Sequence, residues 1–176
     1  MNDQSQPLTP PQAAALLQAM AATLRAEIEA LPSDAASWHP APGEWCVKEA
    51  LGHIVEAERR GFAGRIRIIL AGDEPDLDTW DQVTVEQERH DCDRDSASLL
   101  AEFLALRAAS VELVNGLRKA DLGRGGDHPQ VGHLLVRDLL HEWVHHDRNH
   151  VRQILANLQT YVWPQMGNAR RFAEID

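Results

Sequence analysis

Apolar residues recur at three- and four-residue spacing over four long stretches, and no alternating, strand-like pattern competes with them. The first predicted helix runs from about Pro10 to Leu31, with Leu16, Leu17, Met20, Leu24 and Ile28 on one face. Thr9 suits the N-cap, Pro10 and Pro11 suit the first turn, and Pro32 ends the helix. The second runs from about Val47 to Leu70, with Val47, Ala50, Leu51, Ile54, Ala57, Gly61, Phe62 and Ile69 as its apolar face. The third runs from about Ser96 to Lys119, and the fourth from about His133 to Tyr161, ending near Pro164.

The connections differ in character. Pro32 to Trp45 holds Pro40, Pro42 and Gly43, which predicts a non-helical loop whose Trp38 and Trp45 lie over the helices as a lid. Asp73 to Asp95 is acidic and predicts an irregular crossing with a short helical turn around Gln82–Arg89 and an exposed Trp80. Its length marks it as a functional loop. Gly123 to Pro129 breaks the chain before the fourth helix, and the tail from Gly167 to Asp176 has only Phe172 and Ile175 as apolar anchors. Together these features predict an all-α fold, a four-helix bundle with long crossover connections, as one domain over residues 1–176.

Composition narrows the function without naming it. A hydrophobic content of 44% and a charged content of 25% are those of an ordinary globular chain. The net charge of −10 argues against a nucleic-acid partner, because phosphate binding needs clustered Lys and Arg. No stretch approaches the roughly 20 apolar residues that span a bilayer. Met1-Asn2-Asp3-Gln4 lacks the basic and apolar regions of a signal peptide. Cys46 and Cys92 form no CxxC pair and read as free thiols, which suits a cytoplasmic location.

The histidines carry the chemistry. His146 and His150 are four residues apart on the fourth helix, so both imidazoles share a face one turn apart and can grip one metal ion. On a wheel of about 100° per residue they border the arc holding Leu139, Trp143 and Ile154. His141 and His145 have the same spacing but fall on the opposite side, beside Arg152, and read as surface residues. On the second helix His53 sits at the edge of the apolar face, with the small residues Ala50, Ala57 and Gly61 beside it, which leaves room for a cavity. If the two helices pack together, His53, His146 and His150 converge as a three-histidine divalent-metal site. No Glu stands between the late pair, so the HExxH zinc-protease pattern is excluded.

The acidic neighbours are less decisive. Glu49 and Glu56 flank His53 by one turn, and Glu142 precedes His146 by one turn. Each is a candidate catalytic base, a hydrogen-bond acceptor for a ligating imidazole, or a solvated helix charge. Asp147 falls inside the apolar arc and needs a partner, such as Arg65.

At these residues the chain resembles the DinB/YfiT-like superfamily of four-helix-bundle metalloproteins. The Trp-bearing loop Trp38-His39-Pro40-Ala41-Pro42-Gly43-Glu44-Trp45 leading to Gly52-His53 is similar to the family's first motif. The run from Leu139 to Ile154, with His146 and His150, is similar to its second. The resemblance spans nearly the whole chain. It implies an up-up-down-down-type bundle, a zinc or nickel ion on His53, His146 and His150, and a homodimer. Family members include metal-dependent hydrolases without an assigned substrate and transferases or isomerases that use a low-molecular-weight thiol.

The expectation is therefore a metal-dependent enzyme acting on a small molecule, either as a hydrolase or as a thiol-dependent S-transferase. Neutral ligands keep the ion electrophilic, so bound water drops to a pKa of roughly 7 or a thiol binds as thiolate. Arg60 is a candidate for holding the thiol's polar end. The alternative is a non-catalytic bundle that stores metal or senses a ligand.

Overall fold

The computed structural model describes residues 6–173; Met1–Asn2–Asp3–Gln4 and the tail anchor Ile175 lie outside them. Four helices make the bundle: α1 (Pro10–Ala30), a long second helix formed by α3 (Val47–Glu56) and α4 (Ala63–Ala71), α6 (Ser96–Asn115) and α7 (Val136–Val162). Between them lie the short helices α2 (Ser33–Ala36) and α5 (Gln82–Arg89), and α8 (Arg170–Ala173) follows. Helix α1 packs against α6 and α7, and α3 packs against the same two. The first and second helices therefore stand diagonally across the bundle, as do α6 and α7, whereas the second helix and α6 are neighbours joined by the long acidic crossing.

The starts and stops follow local chemistry. Gln12 Oε1 accepts from the Thr9 N–H at 2.9 Å, and Pro10 and Pro11 occupy the first turn of α1. Asp81 caps α5 by accepting from the backbone N–H of Val83 at 3.0 Å, and Asp95 caps α6 through Ser98 at 2.8 Å. His90 takes a left-handed conformation at the end of α5.

Three local features depart from the sequence reading. Ser33–Ala36 forms one helical turn inside the loop expected to be free of helix. Gly125–His128 and Gly132–Leu135 form an antiparallel hairpin where only a break and the start of the fourth helix were expected. These strands are too short and glycine-rich to show an alternating pattern, and they are held from outside. Leu77 N–H donates to Asp127 O at 2.9 Å, and Asp127 N–H to Pro75 O at 3.0 Å, so the acidic crossing pairs with the hairpin. Finally, Ala57–Phe62 is wound as a π segment between α3 and α4. Such insertions are frequent at functional sites because they reset the phase of a helix.

The core has two apolar clusters. One gathers Leu17, Phe62, Ile66, Leu139 and Trp143; the other gathers Leu24, Ile54, Leu99, Phe103 and Ile154. Between them lies a charged layer, Glu58–Arg107–Asp147, almost fully buried. All five guanidinium N–H groups are used: Glu58 accepts at 2.9 and 2.7 Å, Asp147 at 2.8 and 3.2 Å, and Leu17 O at 2.9 Å. Trp143 Nε1 adds a bond to Glu58 at 3.2 Å. Asp147 is therefore partnered by Arg107, not by Arg65 as expected. Arg107 reaches it from α6, across the bundle, and no local spacing encodes that.

Gly52 marks a close approach between α3 and the turn after α5. A Cβ there would lie 1.7 Å from Asp91 Oδ2. Asp91 is buried and held by Arg89 at 2.6 Å and Arg94 at 2.9 Å, so it cannot swing away freely. Gly52→Ala is expected to cost about 1–3 kcal/mol, as overpacking does. Urea denaturation checks this, with an unchanged midpoint as the contrary result.

Candidate metal centre

His53 projects from α3, and His146 and His150 from adjacent turns of α7. The ring centroids stand 5.1 Å apart for His53–His146 and 4.5 Å apart for both His53–His150 and His146–His150. His53 Nε2 and His146 Nε2 are 3.0 Å apart, and the three rings each offer a nitrogen within 4.8 Å of the others. Nitrogens at about 2.0–2.1 Å from a tetrahedral zinc lie about 3.3 Å from one another, so the separation suits a shared ion.

Burial sets the charge state. It lowers His53 to about 4, with His150 adding to the effect. It lowers His146 to about 3, with His150, His53 and Arg107 adding to the effect. His150 is also lowered by burial, against an opposing bond to Gln153. Near neutral pH all three are therefore neutral imidazoles with lone pairs available. Gln153 Oε1 lies 2.9 Å from His150 Nδ1, which places the proton on Nδ1 and frees Nε2. The Nδ1 atoms of His53 and His146 are buried without hydrogen-bond partners among the described residues.

An aromatic wall holds the rings. Trp45 stands 5.1 Å from His53 and 6.3 Å from His150, Phe62 packs edge-on to His146 at 5.1 Å, and Trp80 stacks on His53 at 5.9 Å. Trp80 is therefore half-buried over the site, contrary to the exposed position expected from its acidic surroundings. Trp143 is fully buried, whereas Trp38 is only half-covered, packing edge-on against Tyr161.

The triad borders a cavity of 1030 Å³ that also touches Phe62, Arg65, Trp80, His128 and Glu142. Arg65 has an unusual position there. Its Nη2 donates to Asp78 O at 3.2 Å and to His128 Nε2 at 2.9 Å, but it forms no ion pair among the described residues. Its Nε is buried and has no partner among the described residues.

The acidic candidates separate. Glu49 Oε2 accepts from the Cys46 N–H at 2.7 Å and closes the start of α3. Glu56 is buried and ion-paired with Arg59, with Arg60 at 2.7 Å and with Arg89 at 2.7 Å. Arg60 is thus occupied as well. Glu142 alone of the three lines the cavity, its carboxylate exposed and 3.9 Å from His145. His145 is exposed at the rim, and His141 is committed elsewhere: its Nε2 accepts from Leu8 N–H at 2.9 Å, and its Nδ1 bonds Arg137 O at 2.6 Å.

Sequence reasoning missed Gln153, Trp80 and the Glu58–Arg107 pair. Gln153 was within reach, since it lies one turn beyond His150. Trp80 and Arg107 arrive from distant elements and leave no local signal.

No helix among the described residues is long and apolar enough to cross a membrane. The sequence model of the DinB superfamily matches residues 6–154. Among solved structures, YfiT from Bacillus subtilis aligns with a TM-score of 0.80 at 17% identity, covering 90% of this chain and 91% of its own. YfiT is described as "a probable metal-dependent hydrolase with an unusual four-helix bundle topology". At that identity the likeness carries the fold. No curated protein matches this sequence.

Proposed function

The chain belongs to the DinB superfamily, and on that premise we propose that it is a metal-dependent hydrolase of a small molecule, with His53, His146 and His150 as the metal ligands. One observation carries the reading: three neutral imidazoles converge at the wall of an open cavity. The description of YfiT as metal-dependent supports it. A divalent ion held there, zinc or nickel, supplies a Lewis-acid centre at the cavity wall. Everything else is the work of this chain's own groups.

Trp45, Phe62 and Trp80 shut water away from the inner side of the rings and fix their planes. Gln153 holds the His150 proton on Nδ1. Glu142 lies on the cavity wall, without an ion pair to Lys or Arg among the described residues, and takes the role of base. Glu49 and Glu56 drop out of that role because the helix start and three arginines occupy them. Arg65, without a carboxylate partner among the described residues, is the cation available to a substrate's negative group.

Metal-loaded protein assayed on ester and amide panels tests the reading, alongside a thiol supplied with an electrophile. Turnover of an ester or amide that requires metal and falls in Glu142→Gln supports it. Turnover only with the thiol favours the S-transferase reading, and none with either favours a metal-binding bundle. Gln153→Ala is expected to weaken metal binding about 10–100-fold, the usual loss when a ligand's supporting hydrogen bond is removed. Competition with a chromogenic chelator measures it, and unchanged affinity would show that Gln153 has no part in orienting His150.

A further inference from the structure

A second set of metal-ligating side chains lies outside the cavity. His39 comes from the Trp-bearing loop, Cys46 from the start of α3, and Cys92 from the turn at Asp91–Asp93. One stretch, from His39 to Cys46, and the distant turn carrying Cys92 thus bring an imidazole and two thiols together. Cys46 Sγ and Cys92 Sγ are 3.2 Å apart, and Cys92 Sγ is 3.5 Å from His39 Nε2. Glu49 adds a carboxylate, 3.5 Å from His39 Nδ1, and one donor atom from each of the four residues lies within 4.8 Å of the others.

The surroundings are organised for a soft or borderline cation. His39 Nδ1 lies 2.8 Å from Glu44 O, a backbone acceptor, so its proton sits there and Nε2 turns its lone pair toward the sulfurs. Cys46 is fully buried at the N-terminus of α3, where its Sγ accepts from the Glu49 backbone N–H. Backbone donors and the helix dipole both favour negative charge on that sulfur. Burial, with Cys92 and the Glu49 carboxylate adding to it, pushes the Cys46 thiol up, so a cation must replace the proton before this sulfur carries charge. Zinc bound by sulfur at about 2.3 Å sets two sulfurs about 3.8 Å apart, so the observed pair has to open by about half an ångström.

We propose that Cys46, Cys92 and His39 form a second, sulfur-rich site for a zinc ion, with Glu49 or solvent as the fourth ligand. Each cysteine gives its proton to solvent as its Zn–S bond forms, and no redox step is involved. The site is structural in position. It ties the turn after α5 to the start of α3, the helix that carries His53. It also anchors the crossing on which Trp80 rides over His53. The proposal stands independently of the triad.

Zinc counting on the full chain, purified with reductant, is the test. Native mass spectrometry of the His53→Ala/His146→Ala protein, loaded with zinc, is expected to show one equivalent retained. The same background carrying Cys92→Ser or the exposed-residue change His39→Ala is expected to lose it. With cobalt in place of zinc, the double variant is expected to show an intense near-ultraviolet thiolate-to-metal band that Cys92→Ser abolishes. Absence of zinc and of that band in the double variant would overturn the proposal. So would a chain lighter by two hydrogens with Cys46 joined to Cys92 in the zinc-loaded, reduced sample, since that pair would then be a disulfide. Failure of the triad would show differently, as wild-type protein whose zinc count does not change on His53→Ala/His146→Ala.

Discussion

His146→Ala is expected to lower divalent-metal affinity at the triad by more than about 100-fold, beyond the range seen for supporting hydrogen bonds. His53→Ala and His150→Ala are expected to do the same. Each removes one of three converging donors, and the aromatic wall offers no substitute: Trp45, Phe62 and Trp80 surround the rings with carbon. His141→Ala and His145→Ala are expected to leave affinity within a few-fold. His141 spends both nitrogens on Leu8 and Arg137, and His145 faces solvent. Chelator competition on all five variants, with the Cys92→Ser background to isolate one site, makes the comparison. The contrast between His146 and His145, neighbours in sequence, is the sharpest part. Equal affinity in those two variants would remove the assignment, because only their positions on the helix separate them.

The different placement of His146 and His145 is legible in the sequence. Helical periodicity alone put His146 and His150 on the inner arc and His141 and His145 outside it, because a long, regular helix keeps its phase over α7. The four main helices were legible for the same reason. The second helix shows where this stops. Its wheel assumed a constant turn, and the π segment Ala57–Phe62 breaks that assumption just beyond His53. Phe62 reaches the His146 ring from that segment. The acidic candidates failed for another reason. A charge near a histidine in sequence says nothing about which cation claims it. Glu56 is claimed by Arg89, which arrives from α5. The polarity of its neighbours places Trp80 outside, whereas in the fold it stacks on His53, a residue distant in sequence.

Arg107→Ala is expected to destabilise the protein by about 3–5 kcal/mol, because it strands two buried carboxylates. Glu58 and Asp147 each lose two hydrogen bonds and the one ion-pair partner they have among the described residues. One guanidinium already serves both. Burial pushes the Asp147 carboxyl up to about 7 against the pull of Arg107. Burial also works against the Arg107 charge, yet the two carboxylates outweigh it and raise its pKa. A better test replaces all three together with apolar residues of similar size, as Glu58→Leu/Arg107→Met/Asp147→Leu. Such swaps of a buried ionic cluster are often neutral or stabilising by 1–4 kcal/mol, because the desolvation cost disappears with the charges. Stability by urea denaturation is then expected to match or exceed the parent, while triad metal affinity falls. Asp147 precedes Arg148 and follows His146, and its two bonds to Arg107 fix the rotation of α7 against α6 at the turn that presents both ligating histidines. An apolar layer fills the same volume without fixing that rotation. A triple variant that is less stable than the parent by several kcal/mol, with unchanged metal affinity, would mean that the layer serves stability and not the site.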